Sequence, residues 1–315
     1  MKIAVIGAGL AGLGVSYFLL ENKDVEVTLF DQKGIGGGAS GVCSGLLHPY
    51  PGMAARRSCH ADEALRVAKG LIQVAEKSTP LVVAHQNGIW RHAQSPEQRE
   101  RLNDHVDEFG DIESVDGERF LIHSGITVSL DGYLDGLWKA CSKRGAILKL
   151  KKIESLEELK SFDQIIVAAG WGVREFFPKE ELGVKFMKGQ TLLVEGAPPF
   201  ERSFISKGYI AHLGLTNQFE VGSTYEREFV DDQPDLPLAQ KLLEQNLSVH
   251  AKEGKIIGGK AGVRVLSTTH YLPIIKKMDE KNYVFTGLGS RGLLYHGYYG
   301  RQLANTLLSN NRDLL

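Results

Sequence analysis

The sequence contains few of the residues that mark the more specialised classes of protein. It has three cysteines, Cys43, Cys59 and Cys141, with no Cys-x-x-Cys pair and no metal-ligand spacing. This pattern excludes a disulfide scaffold or a zinc module, and we expect no metal site. An odd and sparse cysteine count is typical of a reducing compartment, so the sequence predicts a cytoplasmic protein.

An excess of charge of one sign is also missing. The chain has 37 Lys and Arg against 38 Asp and Glu, which gives a formal net charge of −1. This balance argues against a general attraction to nucleic acid or acidic lipid, although it allows a local basic patch. Residues 3–20 lack charge, but four glycines among them weaken a membrane-spanning helix, so we predict a buried strand and helix there.

Glycine is the residue that the sequence has in excess. There are 36 glycines in 315 residues, where ordinary usage of about 7% gives roughly 22. Ten of them lie in residues 1–45 and nine in residues 254–300. The glycines therefore concentrate in two stretches near the two ends of the chain. The length separately predicts about two domains at roughly 150 residues each.

Apolar periodicity predicts an α/β fold that opens with a βαβ unit. Residues 2–6 form an apolar run typical of a buried parallel strand, residues 13–20 continue as a helix, and residues 25–30 form a second strand. An apolar strand at 164–170 and a strand, turn and helix over 282–308 indicate that the same sheet resumes later.

Two stretches between these pieces carry the period-2 pattern of antiparallel strands. We therefore predict a discontinuous architecture. A doubly wound, Rossmann-like domain takes residues 1–84, 131–182 and 262–315, and a substrate domain inserted into it, with an α+β fold and a mostly antiparallel sheet, takes residues 85–130 and 183–261.

Residues 7–12, Gly-Ala-Gly-Leu-Ala-Gly, fit the dinucleotide-binding fingerprint. Gly7 permits the tight turn after the strand, Gly9 lets the backbone approach a pyrophosphate, and Gly12 allows close packing of the helix. Asp31 ends the next strand, where a carboxylate accepts hydrogen bonds from the hydroxyls of an adenosine ribose. This context predicts nucleotide binding, against the alternative of a merely tight packing motif.

NAD and FAD share this fingerprint, so a second segment must distinguish them. Residues 36–49 are rich in glycine and include Ser40, Ser44 and His48. Such a segment after the acidic strand end is able to wrap a diphosphate and lie along a flat ring, which favours FAD. A flexible loop is the alternative, but Leu46, Leu47 and Pro49 are typical of a buried segment.

The motifs together resemble the FAD-dependent D-amino-acid oxidase-like family. The fingerprint, Asp31, residues 38–40 and 44–49, Val-Ala-Ala-Gly-Trp at 167–171, Ala-Gly-Val-Arg at 261–264 and Thr-Gly-Leu-Gly-Ser-Arg-Gly-Leu at 286–293 occur in that family's order. Within the family, the resemblance is to glycine oxidases and to the oxidase half of the bifunctional enzyme that completes 5-methylaminomethyl-2-thiouridine in tRNA.

The resemblance implies a glutathione-reductase-type FAD domain and a set of contacts to the cofactor. No cysteine follows Arg264 at the position where some relatives tether flavin, so we predict non-covalent FAD and assign Cys43 to packing. The cofactor-binding residues implied are Gly7, Gly9, Leu10, Ala11, Gly12, Asp31, Gln32, Gly38, Ala39, Ser40, Ser44, Gly45, Leu46, Leu47, Ile153, Ala169, Gly170, Trp171, Gly287, Gly289, Ser290, Arg291, Gly292 and Leu293.

The resemblance also implies four catalytic candidates. Arg264 stands where the family's arginine binds the substrate carboxylate, and a guanidinium offers the two parallel donors that a carboxylate fits. Arg291 is placed to reach flavin or substrate. Tyr209 and His48 are weaker candidates, and Tyr50 and His296 are weaker still; ion pairing or packing is the alternative role for each.

The predicted function is therefore oxidation of the C–N bond of a small amino acid or N-substituted glycine, with hydride transfer from Cα to flavin N5 and hydrolysis of the imine. Oxygen or another acceptor takes the electrons. One alternative is a tRNA-modifying oxidase that removes a carboxymethyl group at a wobble uridine, which the balanced charge does not favour. Another is a flavin-binding protein without turnover.

Overall fold

A strand, glycine turn, helix and strand open the computed structural model, which describes residues 1–42, 44–212, 214, 217–246 and 254–309. The helices are α1 (Leu10–Leu19), α2 (Ala61–Glu76), α3 (Pro96–Glu108), α4 (Leu130–Lys143), α5 (Lys179–Leu182), α6 (Leu236–Asn246) and α7 (Gly292–Leu308). The strands are β1 (Lys2–Ile6), β2 (Glu26–Asp31), β3 (Gly45–Leu47), β4 (Ala84–His85), β5 (Ile89–His92), β6 (Ile112–Ser114), β7 (Arg119–Ile122), β8 (Ile126–Val128), β9 (Ile147–Leu150), β10 (Gln164–Val167), β11 (Val184–Glu195), β12 (Ser203–Ile205), β13 (Tyr209–His212), β14 (Gln218–Gly222), β15 (Lys255–Ser267), β16 (Ile274–Lys277) and β17 (Asn282–Thr286).

The first sheet has six strands in the order β16-β17-β10-β1-β2-β9. Strands β1, β2, β9, β10 and β17 run parallel, and only the edge strand β16 is antiparallel. Strand β10 is buried along its whole length, and so are all but the first residue of β1 and of β17, since helices and loops cover both faces of this sheet. The predicted doubly wound α/β architecture is confirmed.

Helices α1 and α7 bring the two ends of the chain together on one face of this sheet. A Cβ atom on Gly14 of α1 would lie 2.8 Å from the backbone oxygen of His296, and one on Gly300 of α7 would lie 2.9 Å from the backbone carbon of Gly14. Gly297, also on α7, faces Leu71 of α2 instead. Backbone therefore meets backbone where the two helices cross.

The second sheet has eight strands in the order β15-β11-β14-β13-β12-β5-β7-β6. All neighbours are antiparallel except β12 and β5, where Phe204 pairs with Trp90 in a parallel register. Strands β5 to β7 come from the first predicted insertion and β11 to β14 from the second, so the two insertions form one continuous sheet. The predicted mostly antiparallel sheet is confirmed.

The pairing of two strands does not follow the predicted division into domains. Strand β8 pairs with β3 and β4 in a separate three-stranded sheet, and its three residues are all buried. Strand β15 pairs with β11 along nearly its whole length, through the boundary predicted at residue 262. A strand that is buried on both faces needs other elements packed on each face. The side chains of β8 pack in one core with those of α2 and α4.

No helix among the described residues combines the length and the apolar character needed to cross a bilayer.

Candidate active site

A cavity of about 770 Å³ lies where the carboxyl ends of β1, β2, β10 and β17 face the eight-stranded sheet. Open α/β sheets bind ligands at this edge, because turns and helix amino termini converge there. Its wall includes residues of β5, β11, β13 and β15. The cavity therefore lies between the two predicted domains, and its volume lies within the range of small-molecule sites.

The first glycine turn leaves no room for side chains. Gly7 has φ of 109°, and a Cβ atom on it would lie 2.3 Å from the backbone oxygen of Ala168. A Cβ atom on Gly12 would overlap the backbone oxygen of Gly7. Helix α1 has no acidic residue in its first turn, and its positive end faces the cavity. An anion such as a pyrophosphate suits this position.

Asp31 and Ser40 hold the first turn in place. One carboxylate oxygen of Asp31 accepts the Ala8 N–H at 2.9 Å, and the other accepts the N–H groups of Lys33 at 2.8 Å and Gly34 at 2.9 Å. The Ser40 Oγ accepts the Leu10 N–H at 3.0 Å. Asp31 is thus fixed at the end of β2 with its carboxylate on the cavity wall.

The segment 36–47 is wedged between β15 and α7. A Cβ atom on Gly262 would lie 2.9 Å from the Cα of Ala39, and one on Gly45 would collide with the Leu293 side chain. The Glu220 carboxylate accepts the Ser44 N–H at 2.5 Å, and burial raises the pKa of that carboxyl group. Cys43 lies outside the described residues, so its predicted packing role stays a prediction.

The second glycine turn docks on the strand that carries Arg264. Gly287 and Gly289 have φ of 73° and 54°, and the Gly289 N–H donates to the Val265 oxygen at 2.8 Å. Helix α7 begins at Gly292 without an acidic residue in its first turn. Its positive end lies beside the start of α1, since a Cβ atom on Gly292 would lie 3.0 Å from the Leu10 Cδ1, and both helix ends line the cavity.

Arg264 projects from β15 and has space because β11 carries Gly189 beside it. Its Nη2 donates to the Thr224 oxygen at 2.9 Å and to Ser223 Oγ at 3.3 Å, and its guanidinium lies 4.8 Å from the centre of the Tyr225 ring. A Cβ atom on Gly189 would overlap Nη2. Arg264 is half-buried and lines the cavity.

Arg291, His48 and Tyr209 also line the cavity. Arg291 donates to the Tyr271 oxygen at 3.2 Å and lies over that residue's ring. The His48 Nδ1 accepts the Tyr50 N–H at 3.3 Å. Burial lowers the pKa of His48 to about 3, with further lowering by the charges of Arg91 and Arg291. His48 is therefore a neutral imidazole beside two cations.

Most of the predicted cofactor residues share this cavity. The ones on its wall are Gly7, Gly9, Leu10, Ala11, Asp31, Gln32, Gly38, Ala39, Ser40, Ser44, Gly45, Leu46, Ile153, Ala169, Gly170, Trp171, Gly287, Gly289, Ser290, Arg291, Gly292 and Leu293. Gly12 and Leu47 lie behind the wall, where Gly12 packs against Gly7 and Leu47 belongs to the core.

Tyr50 and His296 lie in the core and not on the cavity wall. The Tyr50 hydroxyl donates to Asp111 at 2.5 Å and accepts from Arg57 at 2.8 Å. The His296 Nδ1–H donates to the Gly292 oxygen at 2.9 Å, and Nε2 accepts the Tyr133 hydroxyl at 2.6 Å. These partners account for both side chains structurally.

Arg91 on β5 is the cavity residue that the sequence did not indicate. Its side chain is 3% exposed, and it donates to the Tyr50 oxygen at 2.9 Å and to the Gly52 oxygen at 2.6 Å. It lies in a polar stretch without a recognisable motif. Gly189 was missed as well, although a glycine within a strand is itself a signal of close approach.

The residues present fit a flavin dinucleotide. Gly7 and Gly12 exclude side chains from the first turn, Gly287 and Gly289 have positive φ in the second, and the positive ends of two helices face one continuous cavity. In the part of the chain that the structure describes, no group of three or more His, Cys, Asp or Glu is arranged to hold a metal ion.

Known proteins resemble this chain over nearly its whole length. The DAO family model, described as FAD dependent oxidoreductase, matches residues 2–306. The tRNA 5-methylaminomethyl-2-thiouridine biosynthesis bifunctional protein MnmC of Maricaulis maris (strain MCS10) is 24% identical over 97% of this chain and 52% of its own length. The chain thus spans about half the length of this curated relative.

Solved structures show the same fold. Glycine oxidase from Geobacillus kaustophilus superposes with a TM-score of 0.82 at 16% identity, covering 96% of this chain and 94% of its own. Iminodiacetate oxidase (IdaA) from Chelativorans sp. BNC1 gives 0.79 at 18% identity, covering 97% and 95%. At these identities the likeness establishes the fold.

Proposed function

Because the chain belongs to the DAO family of FAD-dependent oxidoreductases, we propose that it oxidises the C–N bond of a small amino acid or N-substituted glycine with non-covalently bound FAD. Arg264 carries this proposal. It is a half-buried guanidinium on the cavity wall, fixed by a carbonyl and a hydroxyl, and no carboxylate in the described part of the chain pairs with it. The names of the glycine oxidase and iminodiacetate oxidase neighbours support the substrate class.

Bound FAD would accept the two electrons and the hydrogen that leave the substrate Cα. Residues 7–12, Asp31 and the segment 36–47 would hold the dinucleotide. Arg264 would bind the substrate carboxylate through paired N–H donors, and this contact would fix the position of the Cα–H bond. The positive end of α7 would stabilise negative charge that develops beside it.

His48 would keep a polar but uncharged wall beside the substrate, because its imidazole stays neutral above pH of about 3. A substrate amine that enters neutral needs no protein base, and water hydrolyses the imine product. Oxygen or another acceptor would complete the cycle.

Anaerobic flavin reduction tests the proposal. We expect glycine, N-methyl or N-carboxymethyl amines to bleach the purified holoenzyme. Arg264→Ala should lower kcat/KM by about 100-fold or more while flavin content is kept, because two charged hydrogen bonds of about 1.5–3 kcal/mol each are lost. A variant with unchanged affinity for the acid would contradict the role of Arg264. A holoenzyme that no amine bleaches would be a flavin-binding protein without turnover.

Oxidation of a carboxymethylated wobble uridine in tRNA is a second candidate. The MnmC relative, aligned over 97% of this chain, favours it, whereas the balanced net charge does not. A tRNA-binding surface predicts a steep loss of affinity between about 50 and 200 mM salt. Absence of tRNA binding at low salt would remove this candidate.

A further inference from the structure

Positive and negative side chains are unevenly distributed along the cavity. Its acidic wall residues are Asp31, Glu175 and Asp232. Asp232 pairs with Lys33 at 3.0 Å and Glu175 pairs with Lys152 at 3.3 Å. Lys33 follows Asp31 closely in the chain, and the Lys151 N–H donates to the Asp31 backbone oxygen. The lysine partners of Asp232 and Glu175 therefore lie near Asp31, at the carboxyl end of β2. The adenosine end of the cavity is therefore close to electrically balanced.

The other end carries cations without acidic partners. Arg91, Arg264 and Arg291 line it, and His48 lies near enough to Arg91 and Arg291 for both charges to lower its pKa. Among the described residues, none of the three arginines has a carboxylate oxygen within 4.0 Å. One substrate carboxylate balances one of these charges.

Arg91 is the most deeply buried of the three. The residue is 3% exposed. Its two Nη atoms each donate to a backbone oxygen, and its Nε has no partner in the described structure. Burying a charge without a counter-charge is unfavourable. Burial accordingly lowers the pKa of the guanidinium to about 10. An anionic ligand group at this end would offset that penalty.

We propose that Arg91 is a second anchor for the substrate, which carries two carboxylates on one secondary or primary amine. Arg264 binds the carboxylate next to the oxidised carbon, and Arg91 attracts the second carboxylate. Arg291 lies at the end of the glycine turn, where it donates to the Tyr271 oxygen and lies over that ring. This inference rests on the proposed function, because it assumes that Arg264 binds a substrate carboxylate.

Two probes of nearly the same shape, which differ by one negative charge, show how much the second carboxylate contributes to binding. Iminodiacetate carries two carboxylates, and its monoamide, N-(carbamoylmethyl)glycine, carries one. Binding to the oxidised holoenzyme is measured anaerobically by the change in flavin absorbance at constant ionic strength, followed by the rate of flavin reduction. We expect the wild-type enzyme to bind iminodiacetate about tenfold or more tightly than the monoamide, as one charged contact predicts.

Variants assign that preference to a residue. Arg91→Met is expected to remove the tenfold preference, and Arg91→Lys to retain part of it. Lys207→Met is the matched control, because Lys207 is an exposed cation on the same cavity wall. A preference that disappears equally in Lys207→Met would mean a general positive field, and would overturn the role of Arg91.

The outcomes distinguish this inference from the function on which it rests. Equal affinity of the wild-type enzyme for both probes, with flavin reduction by both, overturns the second anchor and leaves the proposed function standing. Failure of every amino acid and amine to reduce the flavin overturns both. Arg91 also donates to the backbone oxygens of Tyr50 and Gly52, so the flavin content of each variant is measured. Should Arg91→Met not fold, the inference is tested by the affinities of the wild-type enzyme for the two probes.

Discussion

The two ends of the cavity are built from different parts of the chain. The end proposed to hold adenosine is formed largely by backbone, because a side chain at Gly7 or Gly12 would overlap neighbouring backbone atoms. Asp232 and Glu175 there are paired with lysines. At the proposed substrate end, Arg91 and Arg264 project from strands of the second sheet, and no carboxylate among the described residues pairs with either. The first end is specified by local backbone geometry, and the second by which strands lie side by side.

The largest effect is expected at the backbone-built end. Gly7→Ala forces a side chain into a left-handed conformation and onto the Ala168 oxygen, so we expect loss of flavin and a fall in stability of about 3 kcal/mol or more. Thermal unfolding and the flavin-to-protein ratio measure this. Gly70→Ala is the control, since Gly70 lies in α2 with open space around it. A Gly7→Ala protein that keeps its flavin would contradict the fitted turn.

The matching change at the substrate end is Gly189→Ala. Its new methyl group would occupy the space of the Arg264 guanidinium, so we expect KM for the amine to rise about tenfold to 100-fold, as loss of a charged hydrogen bond implies, while flavin stays bound. Gly258→Ala is the control, because Gly258 lies on the neighbouring strand β15 with nothing near its Cβ position. Equal kinetics in the two variants would show that Gly189 does not position Arg264.

Acidification is expected to destabilise the protein through two buried histidines. Burial lowers the pKa of His48 to about 3 and that of His296 to about 4, from 6.5. Between these values and 6.5 the unfolded chain binds protons that the native protein does not, so stability rises with pH in this window. From pH 8 to about 5 each histidine costs about 2 kcal/mol. Urea unfolding of His48→Gln and His296→Gln across this range measures the loss, which each variant should reduce; an unchanged pH dependence would refute it.

The smallest effect is expected at Ser40, which adds a side chain to the backbone-built end. Ser40→Ala removes the acceptor of the Leu10 N–H, and we expect FAD affinity to change by about 1 kcal/mol at most. Titration of the apoprotein with FAD measures this. A loss as severe as that of Gly7→Ala would mean that the side chain, and not the backbone, dominates this end.

The sequence predicted the backbone-built end well because its signals are local. The residues 7–12 lie between one strand and one helix, and their spacing alone identifies the turn. The same holds for residues 287–292. Strand β16 and the pairing of β8 escaped prediction, because which edge a short strand joins depends on contacts far apart in the chain.

The substrate end illustrates the limit of local patterns. Arg91 reaches the cavity because β5 pairs with β12, more than 100 residues later, and Gly189 meets Arg264 through the register of β11 and β15. Periodicity does not reveal these pairings. Tyr50 and His296, chosen by residue type beside motifs, lie in the core because their hydroxyl and imidazole groups find buried partners there.

The crossing of Gly14 and Gly300 sets an order of events during synthesis. Strand β1 can pair with β2 early, but the turn at residues 287–292 and α7 are made only after every strand of the described fold. A nascent chain that ends before α7 offers the cofactor one helix end and lacks the other. The two helix ends come to line one cavity only when α7 packs on α1.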